Sequence, residues 1–187
     1  MTEQDIVTGC QHGDNAARKE LYERFAGSML SLCLRYTGNR EEAEDVLQDG
    51  FIQVFTVIGR FAYRGEGSLT AWMRRVFTNH TLSYLEKERR VRFDDVERLP
   101  DTADDGTPPP GISAEEIVRL IGGLPSGYRT VLNLYLLEGW SHKEIAERLG
   151  IGESTSASQY LRGKKLLRQR ITEYIRQRDE ESDGTAF

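Results

Sequence analysis

The side chains in this sequence best equipped for chemistry are groups that recognise other macromolecules, and they gather in three places. Near the C-terminus, Ser154, Thr155, Ser158, Gln159, Arg162, Lys164 and Lys165 fall on the outward face of an expected helix, with hydroxyls and an amide first and cations further along. Hydroxyls and amides meet base edges and cations meet phosphates, so this order suits a helix entering a DNA major groove. A plain helical hairpin with a solvated basic face is the alternative. Upstream, Asp45, Gln48 and Asp49 surround Ile52 on the water side of another expected helix. An apolar residue ringed by acceptors suits a protein partner bringing Arg or Lys; a charged face with one stray isoleucine is the bland reading. Between these, Arg75 and Asn79 share a face of a long helix that carries Trp72, Phe77 and Tyr84 and ends in Lys87, Arg89, Arg90 and Arg92. Such a helix can offer backbone-binding and stacking groups to a single strand, although Trp72 also suits a core position.

The elements that must position these groups read as helices throughout. Apolar residues recur three and four apart in every long segment, and alternation of the strand kind is hard to find. Helices are expected at about 2–10, 14–37, 40–58, 68–89, 113–122, 126–138, 141–149 and 153–176, with stops at Gly13, Gly38, Gly59, Gly139 and Gly150 and in the loop around Gly65 and Gly67. Ser141 with Glu144 forms a capping box, and Ile145, Ala146 and Leu149 give that short helix its apolar face. In the helix after Gly150, Ser156, Tyr160, Gly163 and Leu167 recur at positions that can lie against it, which makes the pair a helix-turn-helix. Leu124, Val131, Leu132, Tyr135 and Leu136 are expected to complete its core.

Charge divides the chain. The net charge of −5 over 187 residues hides a neutral stretch, 1–93, with 13 basic and 13 acidic side chains. Residues 94–111 carry six acids against one arginine and four of the five prolines, a composition that denies a packed core and keeps a linker extended. Residues 112–177 are net positive and 178–187 form an acidic tail. The expected fold is therefore all-α: two small helical domains, 1–93 and 112–177, joined by an acidic Pro-rich linker, the second domain a helix-turn-helix. No apolar run approaches the roughly 20 residues of a membrane helix and the start lacks a signal peptide, so a cytoplasmic protein without membrane insertion is expected. Cys10 and Cys33 suit core thiols, and neither a metal site nor a cofactor is expected.

Three blocks in this order, EAEDVLQDGFIQVF, RGEGSLTAWMRRVFTNHTLSYLEKERR and LPSGYRTVLNLYLLEGWSHKEIAERLGIGESTSASQYLRGKKLL, resemble a bacterial RNA polymerase sigma factor of the extracytoplasmic-function type, over about residues 14–93 and 112–172. The resemblance implies a first domain that binds core RNA polymerase and opens the minus-ten promoter element, and a second that reads the minus-thirty-five element. It implies that Asp45, Gln48, Asp49 and Ile52 dock on the polymerase clamp. It places Arg64, Gly65, Glu66, Gly67 and Ser68, with Asn79, at a pocket for a base flipped from the non-template strand, which Arg74, Arg75, Lys87, Arg89 and Arg90 would hold by its phosphates. It gives Ser154, Thr155, Ser158, Gln159 and Arg162, with Lys164 and Lys165, to minus-thirty-five DNA. An anti-sigma protein is a further partner of many such factors. Two departures stand out: Ala157 where Lys or Arg is common, and Gly163 where Ala is common, the latter weakening a helix interior by about 1 kcal/mol.

Rival classes make different demands. An enzyme needs convergent catalytic groups, and the sequence has neither HExxH, GxSxG nor GxxxxGK. An ordinary helix-turn-helix regulator would bind a two-fold site without polymerase. A protein that only grips a partner helix leaves the basic C-terminal helix unexplained.

Overall fold

Helix starts and stops follow local chemistry in the computed structural model, which describes residues 1–88, 91–93 and 111–184. In helix α1, Glu3–Gln11, the Thr2 hydroxyl accepts the Asp5 N–H at 3.1 Å and the Asp5 carboxylate accepts the Thr2 N–H at 3.0 Å. The Asp14 carboxylate caps α2, Asn15–Thr37, which ends on Gly38 in the left-handed conformation (φ 69°). Asn39 caps α3, Arg40–Val57, through the Glu42 N–H at 3.1 Å. A 3-10 turn at Ile58–Arg60 and a short connection lead to α4, Ser68–Lys87. The expected acidic linker, apart from Gly111, lies outside the described residues, as do Arg89 and Arg90.

The chain divides into two units, Met1–Arg89 and Arg90–Phe187. The first is a four-helix assembly whose core joins Ile6, Val7 and Cys10 of α1 to Leu21, Phe25, Met29 and Tyr36 of α2, Val46, Phe51 and Val54 of α3, and Leu69, Met73, Phe77 and Leu82 of α4. Gly50 is a point of close approach between α3 and α4, since a Cβ there would overlap the Phe77 ring. Phe77 meets Phe51 edge-on with ring centroids 5.2 Å apart, and Tyr22 covers Phe51 from the other side at 4.7 Å. Both cysteines are buried and free; burial pushes the Cys10 thiol up and the Cys33 thiol up to about 12, so neither is a thiolate at neutral pH.

The second unit takes in Arg92. The Arg92 N–H donates to the Ser126 hydroxyl at 2.9 Å, and its carbonyl sits against Gly127. Helix α5, Ala114–Gly122, starts from a Ser113–Glu116 capping box. Helix α6, Ser126–Leu132, passes into a π-helical turn at Asn133–Leu137, closed by the Glu138 N–H to Asn133 carbonyl bond five residues back at 3.0 Å. That wider turn shifts the faces that follow it. Tyr135 and Leu136, expected in the core, are 37% and 52% exposed, and Trp140 is buried instead.

Helix α7, His142–Leu149, has the expected Ser141–Glu144 box and ends on Gly150. Helix α8, Glu153–Gly184, runs 32 residues and carries the expected acidic tail on as helix through Gly184. Leu167 and Ile171 of α8 pack with Ile121, Leu124 and Leu132, with Ile175 alongside. The Tyr174 hydroxyl donates to Glu116, and the Arg178 guanidinium donates to the Gly111 carbonyl at 2.6 Å. Tyr174 first, then the Ser113 backbone and hydroxyl, hold the Glu116 carboxyl down to about 2. Gly163 has a structural reason: a Cβ there would lie 3.1 Å from the Tyr128 Cβ and 3.2 Å from its carbonyl, so it is the point where α8 crosses α6.

Candidate nucleic-acid and protein-docking surfaces

On α3 the apolar face is spent on the core, and the opposite face is open. Asp45, Gln48, Asp49 and Ile52 stand at i, i+3, i+4 and i+7, all exposed, with Ile52 65% exposed beside the two carboxylates. The expected arrangement is present in full on this helix, and its chemistry suits a cationic partner that also covers one apolar side chain.

The connection before α4 is a tight turn. Gly65 and Gly67 adopt left-handed φ values of 114° and 83°. The Ser68 hydroxyl accepts the Arg64 N–H at 3.2 Å and donates to the Gly65 carbonyl at 2.6 Å. Arg64 and Glu66 point to solvent. Trp72 is half-buried, packed at a tilt against Phe61 with ring centroids 4.7 Å apart, so it fastens the arm of the connection to α4. Desolvation, with the nearby Glu3 and Glu66 carboxylates, pushes the Tyr63 phenol above its ordinary value. Phe77 is fully buried and not available for stacking.

Asn79 does not join this turn. It lies eleven residues beyond Ser68 on the same helix, about 16 Å at 1.5 Å per residue. The single pocket expected from the turn together with Asn79 is therefore corrected to two separate places. Asn79 donates to the Arg75 carbonyl at 3.0 Å and lines a cleft of about 410 Å³ between α3 and α4 with Gln53, Val57, Val76, His80 and Ser83. Arg74 is half-buried, and Arg75 and Lys87 are exposed along α4.

On α8, Ser154 and Lys164 are exposed, and Thr155, Ser158, Arg162 and Lys165 are half-buried on the outer side. Gln159 is corrected: it is 3% exposed, with its side-chain oxygen turned toward Gly127 of α6, so it packs inside the unit. The helix is covered by both α6 and α7, and the buried arc of Ser156, Gln159, Gly163 and Leu167 is wider than packing on α7 alone requires. Near the middle of the outer face stands Leu161, 62% exposed, seven residues after Ser154. Sequence reasoning passed over it because leucine at a helical period reads as core; its spacing from Ser154 was the available signal. The turn itself is held by the His142 Nδ1 contact to the Ser156 hydroxyl at 2.9 Å and by His142 stacked on Tyr135 at 4.3 Å.

These two units match known families in order. Sigma-70 region 2 matches residues 21–91, and Sigma-70, region 4 matches residues 114–167. The chain belongs to the sigma-70 family. It is 28% identical over 184 residues to the ECF RNA polymerase sigma-E factor of Haemophilus influenzae, covering 91% of this chain and 96% of that one. It is 29% identical over 173 residues to the ECF RNA polymerase sigma factor SigE of Mycolicibacterium smegmatis, covering 87% and 65%. A solved structure of the sigma factor RpoE in complex with the anti-sigma factor NepR from Bartonella quintana is 18% identical, with a TM-score of 0.49 over 83% of this chain and 96% of that chain. Within the family the chain is an extracytoplasmic-function sigma factor, a transcription initiation factor that directs RNA polymerase to promoters. Among the described residues no helix is long and apolar enough to cross a membrane.

Proposed function

We infer that the three surfaces divide the work of promoter recognition. Asp45, Gln48, Asp49 and Ile52 dock on core RNA polymerase. The turn formed by Arg64, Gly65, Glu66, Gly67 and Ser68 receives one nucleotide of the displaced minus-ten strand, Asn79 receives another further along, and Arg74, Arg75 and Lys87 hold the phosphates between and beyond them. Arg89 and Arg90 lie outside the described residues and extend this basic run in sequence. Ser154, Thr155, Ser158, Leu161 and Arg162 face minus-thirty-five base edges, with Lys164 and Lys165 on phosphates. Domains 1–93 and 112–177 act on the two promoter elements and the acidic stretch between them spans the gap.

The protein is not an enzyme, works in the cytoplasm beside the polymerase and, as its family implies, is open to capture by an anti-sigma protein. The observation that supports this reading best is Ile52, two-thirds exposed among carboxylates on a helix whose other face is fully buried. Transcription of genomic fragments by purified core polymerase, with and without this chain, tests it: promoter-specific starts are expected only with the chain, and their absence overturns the reading.

A further inference from the structure

The turn before α4 is not held by its own sequence alone. Gly67 caps α4 and has no side chain to offer, so the first N–H groups of that helix need partners from elsewhere. The Glu3 carboxylate supplies one: it accepts the Gly67 N–H at 2.9 Å and the Thr70 hydroxyl at 3.4 Å. Eight residues along α1, the Gln11 amide donates to the Ile58 carbonyl at 3.1 Å and to the Phe61 carbonyl at 2.8 Å. One helix thus grips the connection between α3 and α4 at both ends.

The grip is firm because α1 is itself fixed. On the same face as Glu3 and Gln11, Ile6, Val7 and Cys10 are buried in the core, and the start of the helix is closed by the Thr2–Asp5 box. Helix α1 also precedes the residues that match Sigma-70 region 2. We propose that α1 is a splint for the strand-receiving turn, with Glu3 and Gln11 as positioning residues that hold Gly67 and Phe61 in the geometry that promoter opening needs. This rests on the assignment of the turn to the displaced strand. Neither residue is offered as a contact to DNA: their bonds end on the protein's own backbone and on Thr70.

A splint contributes by removing alternative conformations of the turn before a nucleotide arrives, so its loss should slow strand capture and leave docking on the polymerase untouched. The test uses the full chain bound to core polymerase on a duplex promoter obtained from the transcription assay. Glu3→Ala is expected to slow open-complex formation about tenfold, the effect of a hydrogen bond to a charged acceptor, and to raise exchange of the Gly67 amide proton by a similar factor. Affinity for core should be unchanged, and a template already mismatched across the minus-ten element should recover part of the rate. Glu3→Gln keeps an acceptor for Gly67 and a donor for Thr70, so it should open near the native rate; a merely charged role would leave it as slow as Glu3→Ala. Gln11→Ala, which removes only the other end of the grip, should give a smaller defect of the same kind. Gly65→Val serves as the reference, because its φ of 114° strains any other residue and disrupts the turn directly. If Gly65→Val is slow while Glu3→Ala and Gln11→Ala open at the native rate, the splint is overturned and the turn assignment stands. If Gly65→Val also opens normally, the turn assignment itself fails. Failure of Glu3→Gln to rescue overturns the hydrogen-bonding account.

Discussion

Phe51 and Ile52 are neighbours in sequence on α3, one buried and the other exposed, and exchanging each in turn separates folding from docking. Phe51 is 3% exposed, between Tyr22 and Phe77. Truncation to alanine should cost about 3–5 kcal/mol, since it leaves a cavity beneath two aromatic rings. Ile52 is 65% exposed, so Ile52→Glu should move stability by no more than about 0.5 kcal/mol. Its effect belongs to the complex. Fully burying an isoleucine contributes about 1.5–3 kcal/mol, and about two-thirds of that is still available on docking, or roughly 1–2 kcal/mol. A carboxylate forced into the same contact adds a desolvation cost of about 1–3 kcal/mol. A combined loss of about 2–5 kcal/mol weakens core binding roughly 30- to 4000-fold. Urea unfolding followed by helicity gives the first quantity, and titration of labelled protein with core polymerase gives the second. Native affinity in Ile52→Glu, or a loss of affinity that merely tracks a loss of stability, would refute the docking face.

Three further outcomes test the rest. Gln159→Ala should cost about 1–3 kcal/mol of stability through the loss of a buried polar side chain and leave upstream sequence preference unchanged, whereas Arg162→Ala should alter that preference by about 1–3 kcal/mol per lost base contact; footprinting and selection from random duplexes distinguish them. Gly50→Ala should destabilise the first unit despite the gain in helix propensity of about 1 kcal/mol, because overlap with the Phe77 ring costs about 1–3 kcal/mol; an unchanged urea midpoint would contradict the close crossing. The Glu116 carboxyl is held below its ordinary 4.5, at about 2, so its contribution to stability is complete above pH 4.5 and is lost as pH falls toward 2. Tyr174→Phe should raise that carboxyl's titration point and flatten the acid loss, read by carboxyl NMR and unfolding at pH 7 and pH 3.

Much of this fold was legible because the helix signals are local. Gly38 and Gly150 end helices where the periodicity stops, and the Ser141–Glu144 box starts one where it resumes. The exposed quartet on α3 followed from the same arithmetic, since a helix with one buried face must present the other. What escaped depends on contacts between distant segments. The π turn after α6 adds one residue to a hydrogen-bonded loop, a change no periodicity announces, and it carried Tyr135 and Leu136 outward. Gln159 is polar, and only the approach of α6 at Gly127 encloses it. The acidic end of α8 looks unfavourable as helix until Ile175 packs beside the α5 cluster and Arg178 reaches Gly111. The separation of Asn79 from the turn is different in kind. It was implicit in the residue count and was masked by treating one family function as one place.

Because the turn runs directly into the uninterrupted helix that carries Asn79, α4 behaves as a ruler with angular graduations. Each residue added between them would lengthen the interval by about 1.5 Å and swing Asn79 through about 100°. Substitutions along α4 adjust what is grasped at either mark, but one inserted residue carries the far mark to another side of the rod. Under the proposed assignment of both marks to the displaced strand, changes of length belong outside Ser68–Lys87, because inside it the frame of the helix and the frame of that strand would be the same measurement.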